Sequence, residues 1–282
     1  MADGQVHGFR ADDSGIVVDS GAGGLLVAPL QNDVTDVVRD MPSARADASG
    51  NSRTGTYLAG ASGVHGGNLD LANGAGTDAG RAVVMNGSSS ANAAESLNLP
   101  SFSASSASQF TIEMWIKPDS LASASGFQAL YVTDAYAVNG DFHYNLRNGN
   151  ELQFALRGNS ESIINLTTAG AAAGIWNQLV STYDASAAGG TIKMYVNGSL
   201  KSTQTGVGAV PFSIGSPAAL GRWDGGVPSD SRYFQGAMDE FALYTSALTD
   251  SQVALHFASI PEPSIVALLG LGGLLLRRRT LA

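Results

Sequence analysis

Side chains that could carry out catalysis are few in this chain and are not arranged in pairs. Glycoside hydrolysis needs two carboxylates on either side of the scissile bond, but the sequence contains no Glu-x-Asp-x-x-Glu triplet that would present them from one strand. Glu113 has no second acid on its predicted strand. Asp239 and Glu240 are neighbours, whose side chains leave a strand on opposite faces. We therefore expect no enzyme activity; the alternative is a glycoside-active enzyme with an unrecognised site.

The composition excludes several other classes of site. The 282 residues include no cysteine, which excludes disulfides, thiolate zinc sites and cysteine nucleophiles. Motifs of serine hydrolases, zinc proteases, phosphate loops and EF-hands are absent as well. Fifteen Lys and Arg residues against 24 Asp and Glu residues give a formal net charge of −9. A surface this acidic repels phosphate backbones, so we expect no nucleic-acid partner.

One loop has the residue types of a ligand site. Trp223 lies in the glycine-rich stretch 221–226, directly after Arg222, with Arg232 and Tyr233 close behind in the sequence. An aromatic side chain on a loop can stack on a sugar ring, and arginine can hydrogen-bond to the sugar hydroxyls. Alternatively, Trp223 covers the edge of the fold and binds nothing. The candidate ligand-binding residues are therefore Trp223, Arg222 and Tyr233.

Short strands must position these residues. Residues 110–117 alternate apolar and polar side chains with a period of two. We expect them to form a central strand with Ile112 and Met114 in the core, and with Thr111 on the other face, where its substitution has little effect. Asn-Gly pairs at 148–149 and 197–198 predict two β-hairpins. Further strands are predicted at 82–85, 95–99, 142–146, 152–156, 175–183, 191–196, 199–203 and 237–244.

One helix is predicted beside these strands. The sequence Thr-Asp-Ser-Gln at 249–252 has the pattern of a capping box and predicts a short helix that runs through Phe257. Trp115 and Trp176 lie within strand patterns and are expected in the core. Because strands do not alternate with helices, we expect an all-β fold, a two-sheet antiparallel jelly-roll sandwich.

The predicted strands resemble the bacterial laminin-G-like domains of the concanavalin A-like jelly-roll superfamily. The matching stretches are 47–51, 55–57, 83–88, 110–118, 176–180, 195–198, 236–244 and 247–249. The resemblance implies one laminin-G-like domain over residues 46–259. It also implies a binding or structural module, with a glycan or a matrix component as the ligand.

The same resemblance implies a structural calcium site. Many domains of the superfamily carry calcium at the edge of the sandwich, and the resemblance points to Asp239 first and to Glu240 second. The turn that begins at Asp47 is a further oxygen-rich candidate. Calcium requires six to eight oxygen ligands, which carboxylates and loop carbonyls can supply together. The alternative is that these acids are ordinary strand-end residues. No other cofactor is expected.

Residues 1–45 depart from the family pattern. The family has an aromatic and acidic strand directly before the turn at 47–51, whereas residues 40–45 have neither aromatic side chains nor alternation. Residues 1–19 carry aspartates and no basic region, unlike a signal peptide. We therefore expect 1–45 to be an atypical, disordered N-terminal segment.

Residues 260–282 have the parts of a sorting signal. A Pro-Glu-Pro motif, an apolar run and a basic end follow one another: Pro261, Glu262 and Pro263, then 264–276, then Arg277, Arg278 and Arg279. As a helix, the run would span about 20 Å, against a hydrocarbon core of ~30 Å. The tail resembles the PEP-CTERM sorting signal. That resemblance implies a transient span of the inner membrane, cleavage by an exosortase-type enzyme, and delivery to the cell surface or matrix of a Gram-negative-type bacterium.

Overall fold

The computed structural model describes residues 106–122, 126–133, 136–213, 218–223 and 232–259, together with short strands between residues 24 and 99. These residues form β1 Gly24–Ala28, β2 Ala44–Arg45, β3 Gly55–Leu58, β4 Leu71–Ala72, β5 Ala82–Asn86, β6 Ser96–Leu99, β7 Gln109–Pro118, β8 Phe127–Thr133, β9 Phe142–Arg147, β10 Glu151–Leu156, β11 Ser162–Asn165, α1 Leu166–Ala169, β12 Asn177–Asp184, β13 Thr191–Val196, β14 Ser199–Thr205, β15 Ala218–Leu220, β16 Gln235–Tyr244 and α2 Asp250–Ser259.

The strands form two antiparallel sheets. The first sheet has the order β14-β13-β12-β7-β16-β5-β4, with β1 also paired to β16. The second sheet has the order β11-β10-β9-β8-β15-β6-β3-β2. Strands that are distant in sequence, such as β7 and β16, are neighbours, as crossovers between two packed sheets require. The predicted all-β, two-sheet antiparallel jelly-roll sandwich is therefore confirmed.

The core between the sheets is rich in aromatic side chains. Phe110 from β7 contacts Phe142 and Phe154 from the second sheet, with ring centroids 5.3 and 5.6 Å apart. Phe212 lies 4.6 Å from Phe110. These rings are fully buried, and their edge-to-face and stacked contacts add to the free energy gained by removing apolar area from water.

Strand β7 is central in the first sheet, and both of its faces are buried. Ile112 and Met114 lie in the core, as predicted. Thr111 occupies the other face, but it is also fully buried. Its hydroxyl donates to the carbonyl of Ser246 at 2.7 Å and accepts from the backbone N–H of Leu248 at 2.9 Å. The expectation that Thr111 tolerates substitution therefore does not fit its position.

Helix α2 covers the outer face of the first sheet. Its start has the predicted capping box, since Thr249 Oγ1 accepts from the N–H of Gln252 and Gln252 Oε1 accepts from the N–H of Thr249. A second apolar cluster fills the space between helix and sheet. In it, Trp115 stacks on Phe257 with ring centroids 5.6 Å apart.

A buried acid–base pair joins this helix to β7. His256 Nδ1 lies 2.7 Å from Glu113 Oε2, and both side chains are almost fully removed from water. Gln178 donates from Nε2 to Glu113 Oε1 at 2.6 Å. Burial lowers the pKa of His256, but the charge of Glu113 and its hydrogen bond raise it, and the net effect is a pKa above the usual value. Glu113, which has no second acid on its strand, is thus paired with a histidine and a glutamine.

The hairpins predicted from Asn-Gly pairs are both present. β9 and β10 pair from Arg147–Glu151 onward, and β13 and β14 from Val196–Ser199. In the second turn, Asn197 and Gly198 have φ values of 50° and 71°, which suit this pair. A Cβ at Gly198 would also lie 2.8 Å from the Cβ of Phe257, so this turn admits no side chain beneath helix α2.

Several sequence-based expectations concern residues at the two ends. The segment 1–45, which the sequence predicts to be disordered, contains strands β1 and β2. The run at 24–28 forms β1 and pairs with β16. The predicted apolar helix at 264–276 lies outside the described residues. Within the described ranges, no helix is both long and apolar enough to cross a bilayer.

The two faces of β7 predict two different costs of mutation. Ile112→Ala leaves a cavity in the core and is expected to cost ~2–5 kcal/mol. Thr111→Val keeps the side-chain volume but leaves the N–H of Leu248 without its acceptor, and is expected to cost ~1–3 kcal/mol. Urea denaturation monitored by circular dichroism measures both. Thr203→Ala, on the exposed face of edge strand β14, is the control and should stay within ~0.5 kcal/mol of wild type.

The Glu113–His256 pair predicts a dependence of stability on pH. Because the pKa of His256 is raised in the folded protein, the pair stabilises the fold in full below about pH 6.5, the unfolded value. This stabilisation is lost as the pH rises through the raised folded pKa. The difference in unfolding free energy between wild type and His256→Gln should therefore be larger at pH 6 than at pH 9. An equal difference at both pH values would contradict this.

Candidate functional site

The outer face of the second sheet carries an unusual set of side chains. Because side chains alternate along a strand, Phe142, Tyr144 and Leu146 of β9 point into the core, and His143 and Asn145 point to the opposite face. We call this opposite face, together with the loop residues that pack on it, the outer face of the second sheet. His143 and Asn145 are buried although they do not belong to the core.

Two buried amides lie at the centre of the outer face. Asn145 donates from Nδ2 to Gln153 Oε1 at 3.1 Å across the β9–β10 pair. Gln153 in turn donates to a carboxylate oxygen of Glu161. Asn145 is only 1% exposed, and its Oδ1 has no hydrogen-bond partner in the described part of the chain. An unpaired buried acceptor costs ~1–3 kcal/mol, so this oxygen needs a hydrogen-bond donor that the described residues do not supply.

Small side chains surround the amides. Ala129 of β8 lies directly opposite Asn145, and Ala155 of β10 lies directly opposite His143. Ala219 of β15 continues this row beside Val132. A sheet face with alanines beside polar side chains has less bulk above its backbone than one with large residues. The alanines therefore leave room for another side chain to pack on the sheet here.

Arginine–aromatic stacks flank this centre on one side. Trp223 packs on the cluster of Ala129, Val132 and Ala219. The Arg232 guanidinium lies 4.1 Å from the centroid of the Trp223 ring system and 4.5 Å from the ring of Phe127. These cation–π contacts fix the position of the arginine head group.

A second stack lies at the other end of the row. Tyr136 contacts His143 with ring centroids 4.4 Å apart, and the Arg157 guanidinium lies 5.4 Å from the Tyr136 ring. Burial raises the pKa of Tyr136, as do the charges of Glu161 and Asp141, whereas Arg157 lowers it. Tyr136 has a φ of 57°, a conformation that is costly for a residue with a large side chain. Such strain is often found at functional sites.

The loop that carries Tyr136 is held by one carboxylate. Asp141 Oδ2 accepts from the backbone N–H groups of Ala137 and Val138 at 2.7 and 3.0 Å. The neighbouring Gly140 donates its N–H to the carbonyl of Arg157 at 3.0 Å. The backbone segments that carry Tyr136 and Arg157 are therefore hydrogen-bonded to each other, which brings the two side chains together.

The sequence-predicted residues are divided between different places. Trp223 lies on the outer face of the second sheet, beside Arg222 in sequence, and its Nε1 has no hydrogen-bond partner among the described residues. Tyr233 precedes β16 and is partly buried. Arg232, named only as a neighbour of Trp223, makes the close contact. Trp115 and Trp176 are buried under helix α2, as predicted.

The predicted calcium site involves residues that do not belong to the outer face of the second sheet. Asp239 and Glu240 lie in β16 of the first sheet, where the register shifts between Asp239 and Ala242. Their side chains and Asp47 lie outside what the structure describes, as do Pro261, Glu262, Pro263, Arg277, Arg278 and Arg279. Among the described residues, no group of three or more His, Asp or Glu side chains could hold a metal ion. Calcium binding at Asp239, Glu240 or Asp47 stays a prediction.

Sequence reasoning missed the centre of the outer face. Asn145 and Gln153 lie within the strands predicted at 142–146 and 152–156, but the sequence singles out neither of them. The signal that could have found them is the pairing of amides across an Asn-Gly hairpin, with arginine at both ends of it: Arg147 ends β9, and Arg157 follows β10. Strand β8, which supplies Phe127 and Ala129, was not predicted.

Comparison with known proteins places this fold in a family. Residues 86–254 match the model of Laminin_G_3, described as concanavalin A-like lectin/glucanases superfamily. A search of curated proteins gave no match. Among solved structures, domain 4 of AbnA, a GH43 extracellular arabinanase from Geobacillus stearothermophilus, in complex with arabinotriose, is 26% identical. The alignment covers 74% of this chain and 90% of that domain, with a TM-score of 0.52.

More distant structures agree with this fold. The ligand-binding domain of botulinum neurotoxin serotype D, in complex with N-acetylneuraminic acid, is 15% identical over 84% of this chain, with a TM-score of 0.59. The chain spans about half the length of that neurotoxin domain, 51%. At this identity the likeness concerns the fold alone. The family match covers more than half of the chain, and the protein therefore belongs to the Laminin_G_3 family of the concanavalin A-like lectin/glucanases superfamily.

Proposed function

We propose that the protein binds carbohydrate on the outer face of its second sheet. The observation that carries the proposal is the buried pair Asn145–Gln153, whose Asn145 Oδ1 acceptor has no partner in the described residues. Amides both donate and accept, which suits sugar hydroxyl groups, since these also do both. Strands β9 and β10 hold the two amides, so little ordering entropy is lost when a ligand binds.

The flanking rings give the site its apolar part. Sugar rings pack on aromatic side chains through their C–H faces, and Tyr136, Trp223 and Phe127 surround the amides. Because Arg232 lies on the indole of Trp223, one face of that ring is covered, and a sugar would contact the exposed part of the ring. Trp223 then has both roles considered from the sequence: it covers the small side chains of the sheet and contacts the ligand.

The relatives support a carbohydrate ligand. Domain 4 of AbnA, with 26% identity over 90% of its length, was solved in complex with arabinotriose. It is one domain of an arabinanase, so a module of this fold accompanies a glycoside hydrolase there. We propose the same kind of module here, one that binds without hydrolysis, with a polysaccharide or another matrix component as its partner.

Two glutamates near Arg147 are relevant to the alternative that the protein is a glycoside-active enzyme. Glu151 and Glu161 both approach the guanidinium of Arg147, at 3.8 and 3.7 Å. Glycoside hydrolysis needs two carboxylates that flank the scissile bond, and Arg147 brings these two near each other. Glu161 is occupied by its hydrogen bond from Gln153, and Glu151 lies at the partly exposed end of the hairpin. Binding is therefore the function that the geometry favours.

We further propose export to the cell surface or matrix. The support is the motif at Pro261–Pro263, with the apolar run and the arginines that follow it. In this proposal an exosortase-type enzyme recognises the tail during a transient span of the inner membrane. Helix α2 ends at Ser259, so the motif follows directly after the last described element.

Binding is tested by affinity electrophoresis in gels that contain arabinan, xylan, β-glucan or polygalacturonate. The wild-type protein should be retarded by at least one of them, and it should release no reducing sugar. Asn145→Ala removes the acceptor and is expected to weaken binding about tenfold or more. Thr203→Ala, on the first sheet, is the matched control and should bind as wild type does.

The outcomes of this experiment separate the hypotheses. Retention of full binding by a folded Asn145→Ala protein would contradict the proposed site, and absence of retardation in every gel would contradict carbohydrate binding. Release of sugar that is lost in Glu151→Gln or Glu161→Gln would establish the enzyme instead.

Sorting is tested by mass spectrometry of the mature protein from a host that has the sorting enzymes. We expect a chain that ends close to Pro263, because cleavage near the motif removes the apolar run and Arg277–Arg279. Replacement of Pro261 and Pro263 by alanine should leave the tail in place. Full-length chains in the matrix of the unmodified host would contradict the sorting proposal.

A further inference from the structure

Helix α2 has an apolar side that faces away from the sheet. Val253 and His256 face the sheet and are buried, whereas Ala254, Leu255 and Ala258 are exposed. The Leu255 side chain is 48% exposed. The solvent-facing side of a surface helix normally carries charged or polar residues. The exposed residues of α2 from 254 to 258 are all apolar, which requires a specific reason.

Strand β14 adds a large apolar side chain beside the helix. Leu200 is 41% exposed and lies directly opposite Tyr195 of β13, so the two side chains are on the same face of the sheet. The Tyr195 hydroxyl donates to Asp250 of α2 at 2.8 Å, which identifies this face as the one under the helix. The turn before Leu200 meets the helix end, since a Cβ at Gly198 would lie 2.8 Å from the Cβ of Phe257.

The turn before β12 contributes a third large apolar side chain. Ile175 is 54% exposed, and Asn177 holds the turn by donating from Nδ2 to the carbonyls of Ala172 and Ile175 at 2.8 Å. The adjacent Gln178 accepts from the N–H of Gly198 at 3.0 Å, so this turn lies beside the β13–β14 turn. The exposed apolar residues around the C-terminal half of α2, which we call the α2 patch, are Ile175, Leu200, Ala254, Leu255 and Ala258.

The chain after α2 brings this patch close to a bilayer in the proposed export route. Helix α2 ends at Ser259, and the apolar run of the tail begins at Ser264. Five residue steps extend at most about 18 Å. Whenever the run spans the membrane, the end of α2 is therefore held within this distance of the point where the run enters. The α2 patch surrounds that end of the helix.

The charges beside the patch suit a membrane that contains anionic lipids. Lys201 follows Leu200 directly and is exposed. Asp250, the only acid in the sequence of α2, lies at the other end of the helix and is paired with Lys193 at 2.7 Å. The C-terminal half of α2 therefore has no acidic side chain for anionic headgroups to repel, although the whole chain has a net charge of −9.

Resting on the proposed export, we propose that the α2 patch docks on the surface of the inner membrane while the tail spans it. The exposed side of α2, Leu200 and Ile175 enter the headgroup region as an interfacial helix does, and Lys201 contacts anionic headgroups. Removal of this apolar area from water stabilises the docked state. Docking also holds the Pro-Glu-Pro motif at a fixed height above the bilayer, where the sorting enzyme cleaves it.

The test uses site-specific fluorescent labels, because the chain has no cysteine and a single introduced cysteine takes the label. The full chain with Leu255→Cys or Leu200→Cys carries the polarity-sensitive fluorophore NBD. It is reconstituted into vesicles of phosphatidylethanolamine and phosphatidylglycerol. We expect both labels to shift their emission to the blue and to be quenched by doxyl-labelled lipid.

Val138→Cys is the matched control, since Val138 is also apolar and exposed, at 58%, but precedes β9 of the second sheet. Its label should stay in water. Replacement of both Ile175 and Leu200 by asparagine should abolish the shift of the Leu255→Cys label, although the chain still floats with the vesicles. An equal shift of the Val138→Cys label would overturn the docking.

Flotation of the chain with every label in water would also overturn the docking and leave insertion of the tail intact. Absence of flotation would reject the transient span as well. A blue-shifted Leu255→Cys label without vesicles would overturn the proposal in either of two ways, which analytical ultracentrifugation separates. In a monomer it would show that the tail of the chain covers the patch, and in a dimer that a second copy does.

Discussion

The register of β9 between β8 and β10 fixes both the core and the outer face. Its aromatic residues Phe142 and Tyr144 fill the space between the sheets, and the intervening His143 and Asn145 are thereby directed away from the core. A slip of one residue would exchange the two sets. The aromatic contacts of Phe142 oppose such a slip, since each removes apolar area from water. Packing energy in the core therefore holds the polar residues in place.

The first sheet is buried differently, because helix α2 covers its other face. That arrangement places a charged pair, Glu113 and His256, in a region with little water. Removing two charges from water is costly, and their mutual attraction offsets the cost only when the remaining hydrogen bonds are also made. Gln178 supplies one of them. The same Gln178 accepts from the N–H of Gly198 and so joins the pair to the β13–β14 turn.

Much of the fold could be predicted from the sequence, because strands and tight turns leave local patterns. The alternation at 110–117, both Asn-Gly turns and the capping box at Thr249 correspond to observed elements. Strand β8 was missed, since Phe-Gln-Ala-Leu-Tyr-Val-Thr has no clear alternation. Its register shifts between Ala129 and Tyr131, and the shift breaks the period of two.

The candidate site was harder to predict, because its residues come together only through tertiary structure. Trp223 was chosen from its own loop, which is a local signal. Its partners Arg232 and Phe127 come from distant parts of the chain, and no local pattern relates them. A polar side chain on an outer face normally lies in water, so the burial of Asn145 has no signal in its own strand.

The attachment of helix α2 has a mechanical consequence. The helix is joined to the first sheet by the Glu113–His256 bond, the Trp115–Phe257 stack and the Tyr195–Asp250 hydrogen bond. A pulling force applied at its C-terminal end reaches these contacts before it reaches the strands of the sandwich. Phe257 and His256 lie nearest that end, so they would detach first and the Asp250 end last. The Glu113–His256 bond and the Trp115–Phe257 stack therefore bear such a force before the pairing of β16 with β7 does.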